Sequence, residues 1–334
     1  VIVLTRREAV KKALRHEDVR PVPYFLDMTG EVHRRMVRET GDPLFFEHSG
    51  SYLAQERNES FTPLQDGRFR DMFGVVWDHG RQEGDFGVVR EYLLTEPSLA
   101  GYAFPEPDEA LIRGKCERLA AQKELYSMYI IGFSLFERAW TLRSMPDLLC
   151  DMVLNPAFVD GLMENITAYN LKVVDIVSQY PIDCVFFGDD WGQQKGLIMG
   201  YPFWQRFIRP WLKRQYDHVK ARGMDVAQHS CGDCSEVFPD LVSLGLDIYN
   251  TFQPEVYDIR KFKALYGKHI TFFGGISTQT LLPFKNPEEV RQAVRDITAI
   301  LSRDGGYIIA PTHAMPHDIP TENVLAFLEA CRNQ

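Results

Sequence analysis

The residues best suited to chemistry gather in a few short stretches. In Ala227–Glu236, AQHSCGDCSE, His229 and Cys231 form an H-x-C, and Cys231 and Cys234 form a C-x-x-C. Residues i and i+2 at a strand end point to the same side, so His229 and Cys231 can face one ligand together while Ser230 turns away. Imidazole and thiolate are ligands for Zn²⁺. The competing account makes His229 a satisfied core histidine and Cys231 an inert small hydrophobe. The C-x-x-C reads less well. Gly232 and Asp233 look like a turn and a helix N-cap, which puts Cys234 in the first turn of the next helix, directed away. A thioredoxin-type pair would also follow the first strand of a smaller fold.

Upstream, FFGDDWGQQ carries the adjacent carboxylates Asp189 and Asp190. Neighbours at a strand end cannot both face inward, so one binds substrate or serves as acid or base while the other caps the loop, or both merely cap. Glu137, in Phe136–Trp140, is a further candidate catalytic carboxyl, with a surface ion pair as its alternative. Tyr24, Phe133, Trp191 and Phe252 are candidates for an apolar wall around a planar ligand, although such aromatics also serve as plain core.

These residues need elements to hold them. From residue 160 onward helical and extended patterns alternate. Residues 156–179 read as a helix, 183–188 as a strand, 202–222 as a helix despite Pro210, and 224–229 as a strand. A helix at 235–244, a strand at 247–252, a helix at 258–266 and a strand at 269–273 follow, then a helix at 287–303, a strand at 306–310 and a last helix at 321–331. Such alternation implies right-handed β-α-β units and a parallel sheet. Several strands run straight into polar residues at their carboxyl ends: Tyr24–Leu26 into Asp27, Val185–Gly188 into Asp189, Met224–Gln228 into His229, Ile248–Phe252 into Gln253, and Ile308–Pro311 into His313. Convergence of strand ends on one mouth favours a closed (β/α)8 TIM-type barrel over an open sheet. Residues 125–132 form a good strand. The rest of the first half is less regular, and FGVVWDHG and FGVVREYLL within 42–105 suggest an N-terminal insertion containing hairpins. No linker or repeat is visible, so residues 1–334 are expected to form one domain.

The bulk properties agree. A barrel typically needs about 250 residues, and 334 suffice. A hydrophobic fraction of 45% supplies a core that needs no metal for stability, so any metal is functional. The net charge is −9, and no basic run suited to nucleic acid is present. The apolar opening Val1–Leu4 stops at Arg6, and no later run approaches the ~20 residues that span a bilayer. Six scattered cysteines suit reduced thiols and a cytoplasmic protein.

Several segments in order, Phe186–Gln194, His229–Gly232, Thr251–Glu255, Phe273–Ile276, Gly305–His313 and Pro320–Asn323, resemble the uroporphyrinogen decarboxylase superfamily. The true decarboxylases carry an arginine-bearing R-Q-A-G-R after the first strand. Here Leu26–Gly30 reads LDMTG, and Arg34 and Arg35 are expected on a solvated helical face. The H-x-C instead resembles the cobalamin-dependent methyltransferase branch, in which His, Cys and a later Cys bind zinc. The resemblance implies zinc on His229, Cys231 and His313, the last in place of the later Cys, with Gln253, Glu255 and His317 as lesser candidates. It implies transfer of a methyl group from a small methylated compound, such as a methoxylated aromatic, to cobalamin carried by a separate corrinoid protein. The substrate pocket would comprise Tyr24, Asp27, Phe133, Trp191, Phe252 and Gln253, with Asp189, Asp190 and Glu137 catalytic, and the resemblance admits a homodimer. Alternatives are a methylcobamide:thiol methyltransferase, a decarboxylase of a small or porphyrin-like carboxylate, and a barrel that binds a metabolite without catalysis.

Overall fold

The computed structural model describes residues 4–65, 67–78 and 87–334. The opening Val1–Val3 and, within the two aromatic and glycine stretches, His79, Gly80 and Phe86 lie outside the described residues. Seven strands run in chain order as β1 (Leu53–Arg57), β2 (Tyr126–Ile131), β3 (Cys184–Gly188), β4 (Asp225–His229), β5 (Ile248–Phe252), β6 (Thr271–Ile276) and β7 (Tyr307–Pro311). Among the helices are α1 (Glu109–Ala121), α2 (Phe136–Arg143), α3 (Pro156–Val177), α4 (Arg209–Lys220), α5 (Phe238–Ser243), α6 (Ile259–Tyr266), α7 (Pro287–Leu301) and α8 (Thr321–Arg332). The chain divides into two compact units. One comprises Val1–Ala54, Gln122–Ser127 and Leu246–Gln334, and the other Gln55–Ala121 with Met128–Gly245.

In the second unit β2, β3 and β4 pair in parallel, with Ile131 beside Phe187 and His229 beside Gly188. Every residue of β2 is buried, which suits its sequence YSMYII, apolar or aromatic except at Ser127. Helix α3 opens on Pro156, whose missing N–H costs nothing in a first turn. Its Val159, Leu162, Ile166, Val173 and Val177 recur at helical spacing and are fully buried, each contributing about 1.5–3 kcal/mol. The helix expected over 202–222 is instead two, Tyr201–Phe207 and α4, broken at Ile208, because Pro210 belongs at the start of a helix and not in its interior. Likewise the helix expected over 235–244 begins with a 3₁₀ turn, Ser235–Val237, before α5 opens with its own proline.

The expected insertion is a four-stranded antiparallel meander of Phe61–Pro63, Phe69–Asp71, Val76–Asp78 and Val88–Glu91. It begins only after β1, which sequence reading misses because LAQER is polar and only partly buried. The Asn58 N–H, just beyond β1, donates to Ile130 O at 2.7 Å. A buried ion pair fastens the meander to α2. Arg138 Nη1 donates to Asp71 Oδ2 at 2.6 Å, and Asp71 also accepts from the Phe73 and Val75 N–H groups and from Trp77 Nε1. The guanidinium lies 4.2 Å from the Phe73 ring centroid.

In the first unit β5, β6 and β7 are parallel. The strand expected at Tyr24–Leu26 is an extended segment rather than a full strand, joined to β7 by an isolated bridge. Phe25 N–H donates to Ile309 O and Ile309 N–H to Pro23 O, both at 2.9 Å, while Pro21 and Pro23 have no N–H to extend the ladder. Arg35 is not simply solvated, since it donates to His317 O at 2.6 Å and to Ile319 O.

Removing one partner of a buried pair leaves an uncompensated charge. Asp71→Ala is expected to cost about 3–5 kcal/mol in urea unfolding, because it strands the Arg138 guanidinium and deprives the Phe73, Val75 and Trp77 donors of their acceptor.

Candidate metal and catalytic site

The site is built in the second unit, where β3 and β4 end side by side. Two glycines bring the loops after them into backbone contact. Gly232 has φ +77°, and a Cβ there would lie 2.7 Å from Gln193 N; a Cβ on Gly192 would lie 2.6 Å from Cys231 O. Asp233 N–H donates to Gln193 O at 2.8 Å, and Trp191 N–H to Ser230 Oγ at 2.9 Å. Only residues without side chains permit this approach.

The adjacent aspartates take different environments. Asp189 is fully buried and accepts from the N–H groups of Leu135, Phe136 and Glu137 at 3.2, 3.0 and 2.8 Å and from Trp191 Nε1 at 2.6 Å. It therefore satisfies the free N–H groups at the start of α2. Burial pushes its carboxyl up to about 6 while these donors pull it down. Asp190 has 37% of its side chain exposed and faces the other way. Its Oδ1 accepts from Cys231 N–H at 2.7 Å and lies 3.5 Å from His229 Nε2.

His229 Nε2 is 3.4 Å from Cys231 Sγ. One ligand atom from each of Asp190, His229 and Cys231 lies within 4.8 Å of the others, the cluster of three or more metal-ligand side chains found among the described residues. A tetrahedral zinc with bonds of about 2.0–2.1 Å to nitrogen and about 2.3 Å to sulfur separates those two atoms by about 3.5 Å. The donor set and spacing therefore fit zinc. The surroundings are anionic: burial, then Asp190, then Asp189, push the Glu137 carboxyl well above its ordinary value. Burial, then Asp190 and Glu137, push the Cys231 thiol up. A bound cation reverses that balance and favours the thiolate.

Cys234 is buried, with Sγ 3.2 Å from Ser230 Oγ, and neither it nor Cys231 is in a disulfide. Trp191 has no exposed surface, spends its indole N–H on Asp189 and packs against Trp204. Phe133 is 9% exposed, adopts φ +50° and tilts against Trp77 at 5.4 Å. The remaining candidates are in the first unit. Tyr24 is buried and donates to Ser49 O at 2.8 Å, and Phe252 is buried, stacked 4.2 Å from Phe272. Gln253 is buried, and Asp27 is partly exposed. Glu255 accepts from Ser277 and Thr280. His313 and His317 are exposed in the residues after β7, and neither belongs to the Asp190 cluster. Sequence reading did not foresee Asp190 among the metal-ligand candidates. The signal was present: consecutive β-α-β strands are neighbours, so residues just after 188 must stand beside those just after 229.

The sequence profile described as uroporphyrinogen decarboxylase (URO-D) matches residues 115–334, more than half of the chain. The chain belongs to the uroporphyrinogen decarboxylase family. No curated protein gives a significant match. Among solved structures, this family member is similar to a methyltransferase from Methanosarcina mazei, with 15% identity, 99% of each chain covered and a TM-score of 0.77. It is also similar to a B12-independent methionine synthase from Shewanella sp. W3-18-1, with 11% identity, 93% of this chain and 96% of the other covered and a TM-score of 0.51. At such identities the likeness concerns the fold, an α/β fold of TIM-barrel type, as the alternation of strands and helices predicts.

The two aspartates should separate on mutation. Asp189→Ala leaves four buried donors unpaired and is expected to cost about 2–4 kcal/mol in chemical denaturation. Asp190→Asn is expected to leave stability within about 1 kcal/mol while weakening zinc binding, read by competition with a chromogenic chelator.

Proposed function

We propose that this family member is a zinc-dependent methyltransferase that passes a methyl group from a small methylated compound, a methoxylated aromatic, to the cobalt of a separate corrinoid protein. The observation that carries the proposal is the convergence of His229, Cys231 and Asp190 at the ends of β3 and β4. The similarity in fold to a methyltransferase supports it. So does the stretch Leu26–Gly30, which has no arginine to hold the carboxylates of a porphyrinogen. Residues 1–334 then act as one barrel domain in the cytoplasm, where a corrinoid partner is available. Among the described residues no helix is long and apolar enough to cross a membrane.

Zinc supplies Lewis acidity toward the oxygen that bears the methyl group. His229, Cys231 and Asp190 would hold it, and a position left open makes the site catalytic rather than structural. His313 is the ligand implied by sequence resemblance, and the variants below decide between it and Asp190. Burial and two neighbouring aspartates oppose ionisation of Glu137, which suits it to give up a proton. In the proposed transfer the O–CH₃ bond breaks, the methyl group passes to Co(I), and the departing oxygen takes up the Glu137 proton. Asp189 binds nothing directly; it fixes α2 and so places Glu137.

The family description also favours a decarboxylase as a second reading, which would require neither zinc nor cobalamin. Elemental analysis separates the two. The purified protein is expected to hold about one zinc per chain. His229→Ala and Cys231→Ala should lose it, and loss in Asp190→Ala but not His313→Ala assigns the third ligand to Asp190. Loss of methyl from a methoxyarene should require a Co(I) corrinoid protein, and a Glu137→Gln variant should slow it by about 10²–10⁴-fold with its zinc retained. Turnover that persists without any corrinoid would sink the transfer mechanism.

A further inference from the structure

Glu59 stands just beyond the carboxyl end of β1, within the second unit, and both of its carboxylate oxygens are buried without a hydrogen-bond partner. Its backbone is held from several directions. Lys115 Nζ, on α1, donates to the carbonyls of Arg57, Asn58 and Glu59 at 2.5, 3.5 and 3.3 Å. Asn58 N–H bonds Ile130 O, and Tyr129 donates its hydroxyl proton to Asn58 Oδ1 at 3.2 Å. The side chain then lies over Gly132, and a Cβ on that glycine would fall on Glu59 Oε1. Lys115 lends its charge to this carboxylate, but no donor reaches either oxygen, and a buried acceptor left without a donor costs stability. Residues that break a local rule in this way are expected at functional sites.

The position explains what the missing partner is. Gly132 ends β2, a Cβ on Gly188 would lie 3.3 Å from Gly132 Cα, and Gly188 is in register with His229. Glu59 thus stands two strands from the His229 cluster, about 10 Å at about 4.8 Å per strand, on the same carboxyl-end edge. We propose that Glu59 is a substrate-binding residue that accepts a hydrogen bond from a donor group, a hydroxyl or an ammonium, on the ligand, and so selects donor-bearing substrates over fully alkylated ones. That this ligand is the methyl donor rests on the methyltransferase reading; that Glu59 awaits a donor does not.

Calorimetric titration of the full-length protein at neutral pH tests this without turnover. The probes are 2-methoxyphenol, which offers a hydroxyl, benzylamine, which offers an ammonium, and 1,2-dimethoxybenzene, which offers neither. One or both donor-bearing probes are expected to bind at least about 10-fold more tightly than dimethoxybenzene, and which one does so identifies the donor. Glu59→Gln, which replaces one acceptor oxygen by an amide NH₂, should erase most of that preference. Gly132→Ala, which pushes the carboxylate aside, should erase the preference with Glu59 still present. Equal affinities in the unaltered protein, failure of both donor-bearing probes to bind, or a Glu59→Gln variant that keeps the preference each overturns the proposal. If the preference holds but no methyl reaches a corrinoid, the methyltransferase reading alone fails.

Discussion

Asp189 gives both carboxylate oxygens to four donors, and the arrangement of the site depends on that commitment. The donors come from the first residues of α2 and from the indole two residues along the same loop. One buried anion thereby fixes a helix, a loop and the direction of the next residue. With Asp189 turned inward, the backbone presents Asp190 on the opposite side, beside His229 and Cys231. The same bond to Glu137 N–H holds that residue in the first turn of α2, near enough to both aspartates for them to oppose its ionisation.

Charge in this region is unevenly distributed. Asp190 opposes ionisation of both Glu137 and Cys231, and Glu137 opposes that of Cys231, whereas the buried guanidinium of Arg138 is already committed to Asp71. An array of this kind is costly to keep anionic and is relieved by a bound cation. The Arg138–Asp71 pair in turn ties the meander to the helix that carries Glu137, so the insertion and the site share one support.

Local patterns made part of this legible in the sequence. The i, i+2 relation at a strand end shows that His229 and Cys231 share a side, and the glycine after Cys231 signals the turn that sends Cys234 into the next segment. The rule that adjacent residues diverge also shows that Asp189 and Asp190 must part. Which one turns inward depends on N–H groups more than fifty residues away, and no local pattern carries that information. For the same reason Asp190 could not be placed beside the imidazole until strand neighbours were known. Polar β1 and the break at Ile208 escaped because periodicity registers burial and says little about a half-exposed strand or a proline that opens a second helix.

The contact between Gly192 and Gly232 has a consequence for how such a site can diversify. Where two loops meet backbone to backbone, no side chain at the junction is free to vary, and any added carbon separates the loops and with them the paired residues on either side. Substitutions that leave the paired residues in place are therefore confined to segments away from this junction, which acts as a fixed seam between the two loops.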